Sequence, residues 1–257
     1  MKVIICGAGG RMGQTILKVI PAFPELEVVG CVEREGHPLI GKQVAGKEVV
    51  SSLEKVIHQA EVVIEFTEPP ATLKHIPIMI RNKKKWVIGT TGFTPKEVED
   101  IKKASQSIPI LMAPNMSMGM NLLFNLGEKI ARVLDKSYEV EIIEMHHHYK
   151  KDAPSGSALK LGEKIASARG RKLEEVVVYG RKGQVGPRRE EEIGIHAVRG
   201  GGVIGEHRVI FACEGERIEL IHVAESREAF ARGALKGALW LKDKEEGLYS
   251  MEDVLGI

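Results

Sequence analysis

The chain has 257 residues, enough for one large domain or two, and its 37 basic residues nearly balance 35 acidic ones. A net charge of +2 supplies neither the basic surface of a nucleic-acid-binding protein nor a polybasic membrane anchor. A small ligand is therefore the better expectation for a partner.

The cysteines predict a reducing compartment. Cys6, Cys31 and Cys213 lie far apart, without metal-ligand spacing and in an odd number that does not suggest a disulfide framework. The first residues lack a signal-peptide pattern, and no apolar run approaches the roughly 20 residues of a membrane span. We expect a cytoplasmic protein without a membrane segment.

The first predicted unit is a strand, a glycine-rich turn and a helix. Residues 3–6 are a short apolar run ended by glycine, as expected of a strand buried on both faces of a parallel sheet. An amphipathic helix follows and stops at Pro21, and residues 27–33 form the next strand. This βαβ order predicts the start of a doubly wound sheet.

The turn has G-x-x-G-x-x-G spacing, with Met12 where the common dinucleotide motif has its third glycine. The glycines are Gly7, Gly9, Gly10 and Gly13. Glu33, at the end of the second strand, could accept hydrogen bonds from an adenosine ribose, and Arg34 could pair with a 2′-phosphate. The turn and this pair are therefore compatible with either NADH or NADPH as the cofactor. The alternative is a structural turn beside a solvated Glu-Arg pair.

The strand and helix alternation resumes after a glycine-containing loop at residues 34–52. The predicted strands are residues 62–66, 86–88 and 108–112, and the predicted helices are residues 70–81 and 95–105. The turns GTTGF and APNMS follow the last two of these strands, at the sheet edge where ligands bind. We expect them to contact a nicotinamide rather than to be plain connections.

The pattern changes after Asn115. Predicted helices at residues 118–134 and 158–169 flank an alternating strand at residues 138–145, and a last helix spans residues 227–242. Three strands in meander order are predicted at residues 192–198, 203–213 and 217–224, after a charged, mobile loop at residues 181–191. The fold class is thus α/β, a Rossmann-type doubly wound parallel sheet, with a second, α+β mixed-sheet domain whose sheet is largely antiparallel.

The predicted strand at residues 138–145 leads into EMHHHYKKDAPSGS, residues 144–157. In an extended chain His146, His148 and Lys150 share one side, and in a helix His146 and Lys150 share a face. Histidine exchanges protons near neutral pH and lysine supplies a positive charge, which favours an anion site. The alternatives are a basic surface turn and a metal site, but the run has neither H-E-x-x-H spacing nor a cysteine pair.

A helix start follows the histidines at Ser155, Gly156 and Ser157. Asp152 or Ser155 is the expected cap, with Pro154 in the first turn. Backbone amides at such a start, together with the lysine, bind a carboxylate well. The same residues begin many helices, so it is the adjacent histidines that favour a site.

These motifs resemble the 4-hydroxy-tetrahydrodipicolinate reductases of bacterial lysine biosynthesis, also called dihydrodipicolinate reductases. The resemblance covers nearly the whole chain: GAGGRMG at the start, EREG at Glu33, GTTGF at Gly89, EMHHHYKKDAPSGSA at Glu144, RGGGVIGEH at Arg199 and ALWL at Ala238. The block around the histidines is the most specific, because few other families combine E-x-H-H with K-x-D-x-P-S-G.

The resemblance implies a dinucleotide-binding domain at residues 1–116 and 227–257, and a substrate-binding domain at residues 117–226 that also builds a homotetramer. It implies that His146 donates or accepts a proton and that Lys150 is a second proton donor. The carboxylates of a small dicarboxylate substrate would be held by His147, Gly156 and Ser157, with Ser155 at the helix start. NADH or NADPH would contact Gly7, Ala8, Gly9, Gly10, Arg11, Met12, Glu33, Arg34, Gly89, Thr90, Thr91, Ala113, Pro114, Asn115 and Met116, and no metal is implied.

Two positions depart from the family pattern. Ser157 stands where threonine is usual, which keeps both the amide and the hydroxyl. Glu68 stands where some members carry an arginine near the cofactor, so the expectation of tight NADPH binding is weaker.

The implied reaction is the NAD(P)H-dependent reduction of (2S,4S)-4-hydroxy-2,3,4,5-tetrahydrodipicolinate to tetrahydrodipicolinate with loss of water. It belongs to lysine and diaminopimelate biosynthesis. Two alternatives remain: a non-catalytic nicotinamide-sensing module, and a metal-dependent isomerase or reductase that uses the histidine run.

Overall fold

Two units make up the computed structural model, which describes residues 1–257. The first unit comprises Met1–Met118 and Arg227–Ile257, and the second comprises Gly119–Ser226. No helix combines the length and the apolar character that crossing a membrane requires.

The chain forms thirteen strands and eight α-helices. The strands are β1 Lys2–Cys6, β2 Glu27–Val32, β3 Gln43–Val44, β4 Lys47–Val50, β5 Val62–Glu65, β6 Lys85–Ile88, β7 Pro109–Met112, β8 Glu139–His146, β9 Val177–Tyr179, β10 Ile193–Arg199, β11 Gly205–Cys213, β12 Glu216–Ala224 and β13 Gly247–Tyr249. The helices are α1 Arg11–Val19, α2 Pro69–Arg81, α3 Pro95–Ala104, α4 Met118–Val133, α5 Gly156–Ala168, α6 Leu173–Val176, α7 Glu228–Trp240 and α8 Met251–Leu255.

The first unit is built on an eight-stranded sheet with the order β13-β7-β6-β5-β1-β2-β4-β3. All neighbouring pairs are parallel except β3 with β4. Alternate residues of β5 face opposite layers: Val62 and Ile64 join the core formed with α1 and α7, and Val63 joins the core formed with α2 and α3. Because both faces are covered, the strands read as continuous apolar runs, and the Rossmann-type prediction is confirmed.

Four short elements of this unit are absent from the predicted order. Strands β3 and β4 lie in the segment predicted as a loop, and β13 and α8 follow the last predicted helix. Each is two to five residues long, too short for a hydrophobic period to appear in the sequence.

The second unit has a five-stranded sheet with the order β12-β11-β8-β10-β9. The pairs β11 with β12 and β8 with β11 are antiparallel, whereas β8 with β10 and β9 with β10 are parallel. The sheet is therefore mixed, as predicted, with two antiparallel and two parallel strand pairs. Helix α5 lies between β8 and β10 in the chain, and such a crossover allows a parallel pair.

Helices α4 and α5 cover one face of this sheet. Phe124 of α4 and Ile165 of α5 pack against Val140 of β8 and Phe211 of β11, and all four are fully buried. The other face carries partly exposed apolar side chains, among them Ile221 and Val223 of β12 and Val198 of β10.

The charged segment at residues 181–191 is tied to β8. Arg181 and Arg188 both form ion pairs with Glu141 of that strand. Burial favours the neutral carboxyl of Glu141, but hydrogen bonds from Arg181, His196 and Arg188 outweigh it and lower the pKa to about 2.

Candidate active site

Strand β8 ends in a buried carboxylate and a histidine. Its inward side chains alternate, so Val140 and Ile142 are followed on the same face by Glu144 and then by His146. Glu144 is fully buried, although it continues an otherwise apolar row. A carboxylate in that position needs partners that compensate for its lost hydration.

Glu144 has three such partners. His146 Nδ1 lies 2.6 Å from Oε2, the Ser155 amide donates to Oε1 at 2.9 Å, and Arg199 donates two hydrogen bonds of 2.8 Å, one to each oxygen. Arg199 ends β10 and is paired in register with His146 across the parallel ladder. The sheet thus places residues 55 positions apart in one cluster.

The cluster keeps Glu144 ionised. Burial favours the neutral carboxyl, but the bonds from His146, Arg199 and the Ser155 amide are stronger and lower the pKa to about 2. An ionised carboxylate only accepts hydrogen bonds, so His146 carries its proton on Nδ1. Its Nε2 is then the nitrogen available for proton exchange, and a Cβ at position 205 would lie 3.1 Å from it, where the chain has glycine.

The backbone turns immediately after His146. The Lys150 amide donates to the His147 carbonyl at 3.1 Å, so the predicted extended alternation does not reach His148 or Lys150. His148 Nδ1 lies 2.9 Å from the Gly201 carbonyl oxygen. The Lys150 side chain is mostly buried, and its ammonium pairs with Asp152 at 2.9 Å. The run does not bring its imidazoles together as a metal-ligand set.

Ser155 caps α5, which begins at Gly156. Its hydroxyl accepts from the Ala158 amide at 3.1 Å. Of the two predicted caps Ser155 is therefore correct and Asp152 is wrong, and Pro154 precedes the cap rather than entering the first turn. The Ser155 amide is used by Glu144, so this residue links the helix to the cluster, while Gly156 is exposed and Ser157 is half-buried.

His207 of β11 is a member of the cluster that the motifs did not single out. Its ring meets that of His146 edge to face at 5.2 Å, and its Nε2 lies 3.0 Å from the Ser155 hydroxyl. Burial and then the electrostatic interaction with His146 lower the pKa of His207 to about 3, with a smaller contribution from Lys150. His207 is therefore neutral, and both proposed proton carriers act on it electrostatically.

In the first unit, the glycine-rich turn joins β1 to α1. Gly7 has a φ of +78°, in the left-handed region, and a Cβ at Gly13 would overlap the Gly7 carbonyl oxygen. The spacing is thus required for the close approach of helix to strand. Helix α1 has Gly10 as its N-cap residue, with no side-chain cap and no acidic residue in its first turn. Ala8 is buried, Arg11 is exposed and Met12 packs against the core.

Glu33 reaches the same turn from the end of β2. Its Oε2 accepts from the Gly9 amide at 2.8 Å and its Oε1 from the Arg34 amide at 2.9 Å, while the Arg34 side chain is exposed. The imidazole of His37, which the motifs did not indicate, lies beside Gly9 where a Cβ would otherwise be. Glu33 and Arg34, the pair predicted from the sequence to meet the adenosine end of the cofactor, therefore border the glycine turn.

The two later turns also follow strand ends. Gly89, Thr90 and Thr91 follow β6; a Cβ at Gly89 would overlap the Phe66 ring, Thr90 is buried and Thr91 is exposed. After β7, Ala113 and Met116 are buried and Pro114 is exposed, and the Asn115 side chain accepts from the Ser117 amide at 2.9 Å. Because β1, β2, β6 and β7 are parallel, these turns all belong to one edge of the sheet.

One group of donor atoms has metal-like spacing. Cys6, Glu65 and His75 offer ligand atoms within 4.8 Å of one another. Burial and then the charge of Glu65 raise the pKa of the Cys6 thiol well above its usual value, which disfavours the thiolate that a metal needs. Glu65 also accepts hydrogen bonds from protein donors on both oxygens. These residues therefore fit a hydrogen-bonded cluster better than a metal site.

Two family models together match nearly the whole chain. Residues 1–116 match the family model for the N-terminus of dihydrodipicolinate reductase, and residues 119–255 match the model for its C-terminus. The chain is similar to the 4-hydroxy-tetrahydrodipicolinate reductases of Syntrophus aciditrophicus, at 45% identity, and Aquifex aeolicus, at 47%. Both comparisons cover 100% of this chain, with 98% and 99% of the respective relative.

A solved structure is similar over the same length. The dipicolinate-bound dihydrodipicolinate reductase from Paenisporosarcina sp. TG-14 has a TM-score of 0.79 and 25% identity, covering 97% of each chain. The family resemblance seen in the motifs is confirmed, and the chain belongs to the dihydrodipicolinate reductases, a family of NAD(P)H-dependent oxidoreductases of lysine and diaminopimelate biosynthesis.

Proposed function

We propose that the chain reduces (2S,4S)-4-hydroxy-2,3,4,5-tetrahydrodipicolinate to tetrahydrodipicolinate with loss of water, in the cytoplasm, and that His146 and Lys150 handle the protons. Beyond family membership, the observation that carries this assignment is the cluster at the end of β8. There an ionised, buried Glu144 fixes the tautomer of His146, and the mostly buried side chain of Lys150 follows four residues later.

The first unit has the features that a dinucleotide requires. A phosphate fits the start of α1, where glycines leave room for close approach and no side chain caps the helix. Glu33, at the glycine turn, would meet the adenosine ribose, and the exposed Arg34 would be available to a 2′-phosphate. The turns after β6 and β7 would hold the nicotinamide end. We propose that either NADH or NADPH serves, without a metal, and when bound it supplies the hydride.

Two steps of the reaction need a proton that the chain must supply. Loss of the 4-hydroxyl group as water puts a proton on the leaving oxygen and removes one from C5, and the enamine left by hydride addition at C4 takes a proton on C5. His146 exchanges its proton through Nε2, because Nδ1 stays bonded to Glu144. Lys150 provides a second proton and a positive charge near the substrate carboxylates.

The substrate carboxylates keep their charge throughout, so their binding groups must persist too. The amides of Gly156 and Ser157 at the start of α5, the Ser157 hydroxyl and the His147 side chain are assigned this role. The Ser155 amide donates to Glu144 instead, so we assign Ser155 to the support of the helix start.

We further propose that the second unit assembles the chain into a homotetramer. Its uncovered sheet face places Ile143 and Met145 of β8 in the same rows as the exposed Ile221 and Val223 of β12. Apolar patches of this kind are typical of contacts between copies of a chain. Light scattering after size exclusion should give four chain masses, and a monomer at micromolar concentration would contradict this.

The function is tested by a coupled assay. The product of the preceding synthase is supplied, and the loss of NADH and of NADPH absorbance is followed in separate reactions. We expect loss with at least one cofactor and no effect of a chelator. A protein that binds NADH but oxidises neither cofactor would instead be a nicotinamide-sensing module, and loss of activity with chelator would favour the metal-dependent alternative.

A further inference from the structure

A second buried carboxylate, Glu65, ends β5 in the first unit. It is fully buried. Its Oε1 accepts from the hydroxyls of Thr67 at 2.7 Å and Thr72 at 3.2 Å and lies 3.0 Å from His75 Nδ1, and its Oε2 accepts from Trp86 Nε1 at 2.9 Å. Thr72 and His75 lie in α2, Trp86 lies in β6, and Thr67 lies in the turn between β5 and α2.

The threonines extend this cluster to the turn after β6. The Thr90 hydroxyl lies 3.1 Å from the Thr72 hydroxyl and accepts from the Thr67 amide at 3.0 Å. Thr90 and Thr72 are almost fully buried. The hydroxyl of Thr90 is therefore held inward by the Thr72 hydroxyl and the Thr67 amide, and the hydroxyls of these same two residues contact Glu65. These contacts fix the backbone of the turn.

A purely structural role would not require this chemistry. A buried carboxylate costs free energy unless it is well hydrogen-bonded, and an apolar side chain of similar volume would fill the space without that cost. What the carboxylate adds is direction: since it only accepts, it competes with the Thr90 hydroxyl for the single proton of the Thr72 hydroxyl.

We propose that Glu65 is a positioning residue for the nicotinamide end of the cofactor, acting through Thr72 on Thr90. The inference rests on the proposed function, which places the turn containing Gly89, Thr90 and Thr91 at that end. Glu65 does not touch the cofactor. It selects the arrangement of the turn that receives the nicotinamide ring.

Glu65→Gln tests the polarity of the cluster with almost no change of shape. If the amide oxygen faces Trp86, the amide nitrogen faces the threonines and donates to them. Thr72 then no longer shares its proton between position 65 and Thr90, so the hydrogen bonding around Thr90 changes. Binding of NADH and of ADP-ribose, which lacks the nicotinamide, is measured by calorimetry on the full chain. We expect about a tenfold weaker Kd for NADH and an unchanged Kd for ADP-ribose.

Two further variants separate positioning from folding. Thr72→Val removes the hydroxyl and should weaken NADH alone, whereas Thr72→Ser keeps it and should restore binding. Glu61→Gln, just before β5 at the opposite end of the strand, removes the charge of a carboxylate that accepts from the Lys2 amide and should change the binding of neither nucleotide. Circular dichroism checks that each variant is folded.

Three outcomes would overturn the inference. Equal weakening of NADH and ADP-ribose by Glu65→Gln would show a general structural role, and unchanged binding of both would show no role. If Glu65→Gln does not fold, the two Thr72 variants decide, and equal NADH binding by both refutes the inference. A wild-type protein that binds neither nucleotide would refute the proposed function as well, so the two failures are distinguishable.

Discussion

The two units each bury one carboxylate at the end of a strand, and they compensate for it differently. Glu144 is paired with the guanidinium of Arg199 and with His146, whereas Glu65 is met by two hydroxyls, an indole N–H and an imidazole. Both are fully buried. A cationic partner adds an electrostatic field in which a proton carrier can work, whereas mostly neutral donors mainly fix the direction of hydrogen bonds. The same residue type therefore suits proton chemistry in one unit and positioning in the other.

The largest effect should follow from removing the proton carriers beside Glu144. His146→Ala and Lys150→Ala should each lower kcat by about 10²- to 10⁴-fold, because proton transfer by a positioned side chain contributes that much. NADH binding should stay nearly unchanged, since the residues assigned to the cofactor lie in the first unit. The measurement is steady-state kinetics with calorimetric titration of NADH.

Neighbouring residues provide matched controls. His148→Ala removes an exposed imidazole bonded to a backbone carbonyl, and Lys151→Ala removes an exposed ammonium. Both variants should retain most activity. Normal turnover in His146→Ala and Lys150→Ala would refute the roles proposed for them and reduce the Glu144 cluster to a structural feature.

The second prediction breaks the charge pairing of Glu144. Arg199→Met should lower the free energy of unfolding by about 3–5 kcal/mol, because it leaves a buried carboxylate without its cation. The double variant Glu144→Gln with Arg199→Met should recover part of this loss. Urea unfolding of the wild type, both single variants and the double variant gives the coupling energy. Additive losses would show that the two side chains do not stabilise each other.

The third prediction concerns the stability of the fold at low pH. The pKa of Glu144 is lowered from 4.5 in an unfolded chain to about 2, so its contribution is present above pH 4.5 and is lost as pH falls from there toward 2. By linkage this amounts to a few kcal/mol. Urea unfolding between pH 6 and pH 3 should therefore show a steeper loss in the wild type than in the Glu144→Gln, Arg199→Met double variant. Parallel curves would contradict a depressed pKa at this site.

How much of the fold the sequence predicts depends on the length of each pattern. The apolar run of β1 and the glycines after it are sufficient for the first βαβ unit, because few conformations bury such a run on both faces. The parallel pair β8 with β10 was not predictable from meander order, since strand direction depends on where α5 crosses. The two-residue β3 exists only through its pairing with β4.

The candidate site shows the same limit. The histidine motif predicted His146 and Lys150 as site residues. The alternation of β8 places Glu144 on the same face as Val140 and Ile142, and a carboxylate in that apolar row is a signal that could have identified it. Arg199 and His207 begin and end the RGGGVIGEH motif, which assigned them no role. They lie 55 and 63 residues from Glu144 in the chain, and the register of the sheet brings them to it. For Glu65 the sequence offers only an acidic residue that ends an apolar strand, and its partners are set by tertiary packing.

The smallest effect should follow from removing one neutral donor of Glu65. Trp86→Phe deletes the indole N–H bonded to Oε2 and should lower the free energy of unfolding by about 1–3 kcal/mol, part of it from the space left by the smaller ring. In the Glu65→Gln background the same change should cost less, because a neutral amide needs the donor less than a carboxylate does. The coupling energy between Glu65 and Trp86, from urea unfolding of the four proteins, should therefore be smaller than that between Glu144 and Arg199. Equal coupling energies would mean that an indole N–H serves a buried carboxylate as well as a guanidinium does, and the distinction between a charged and a mostly neutral environment would no longer explain the different roles proposed for the two carboxylates.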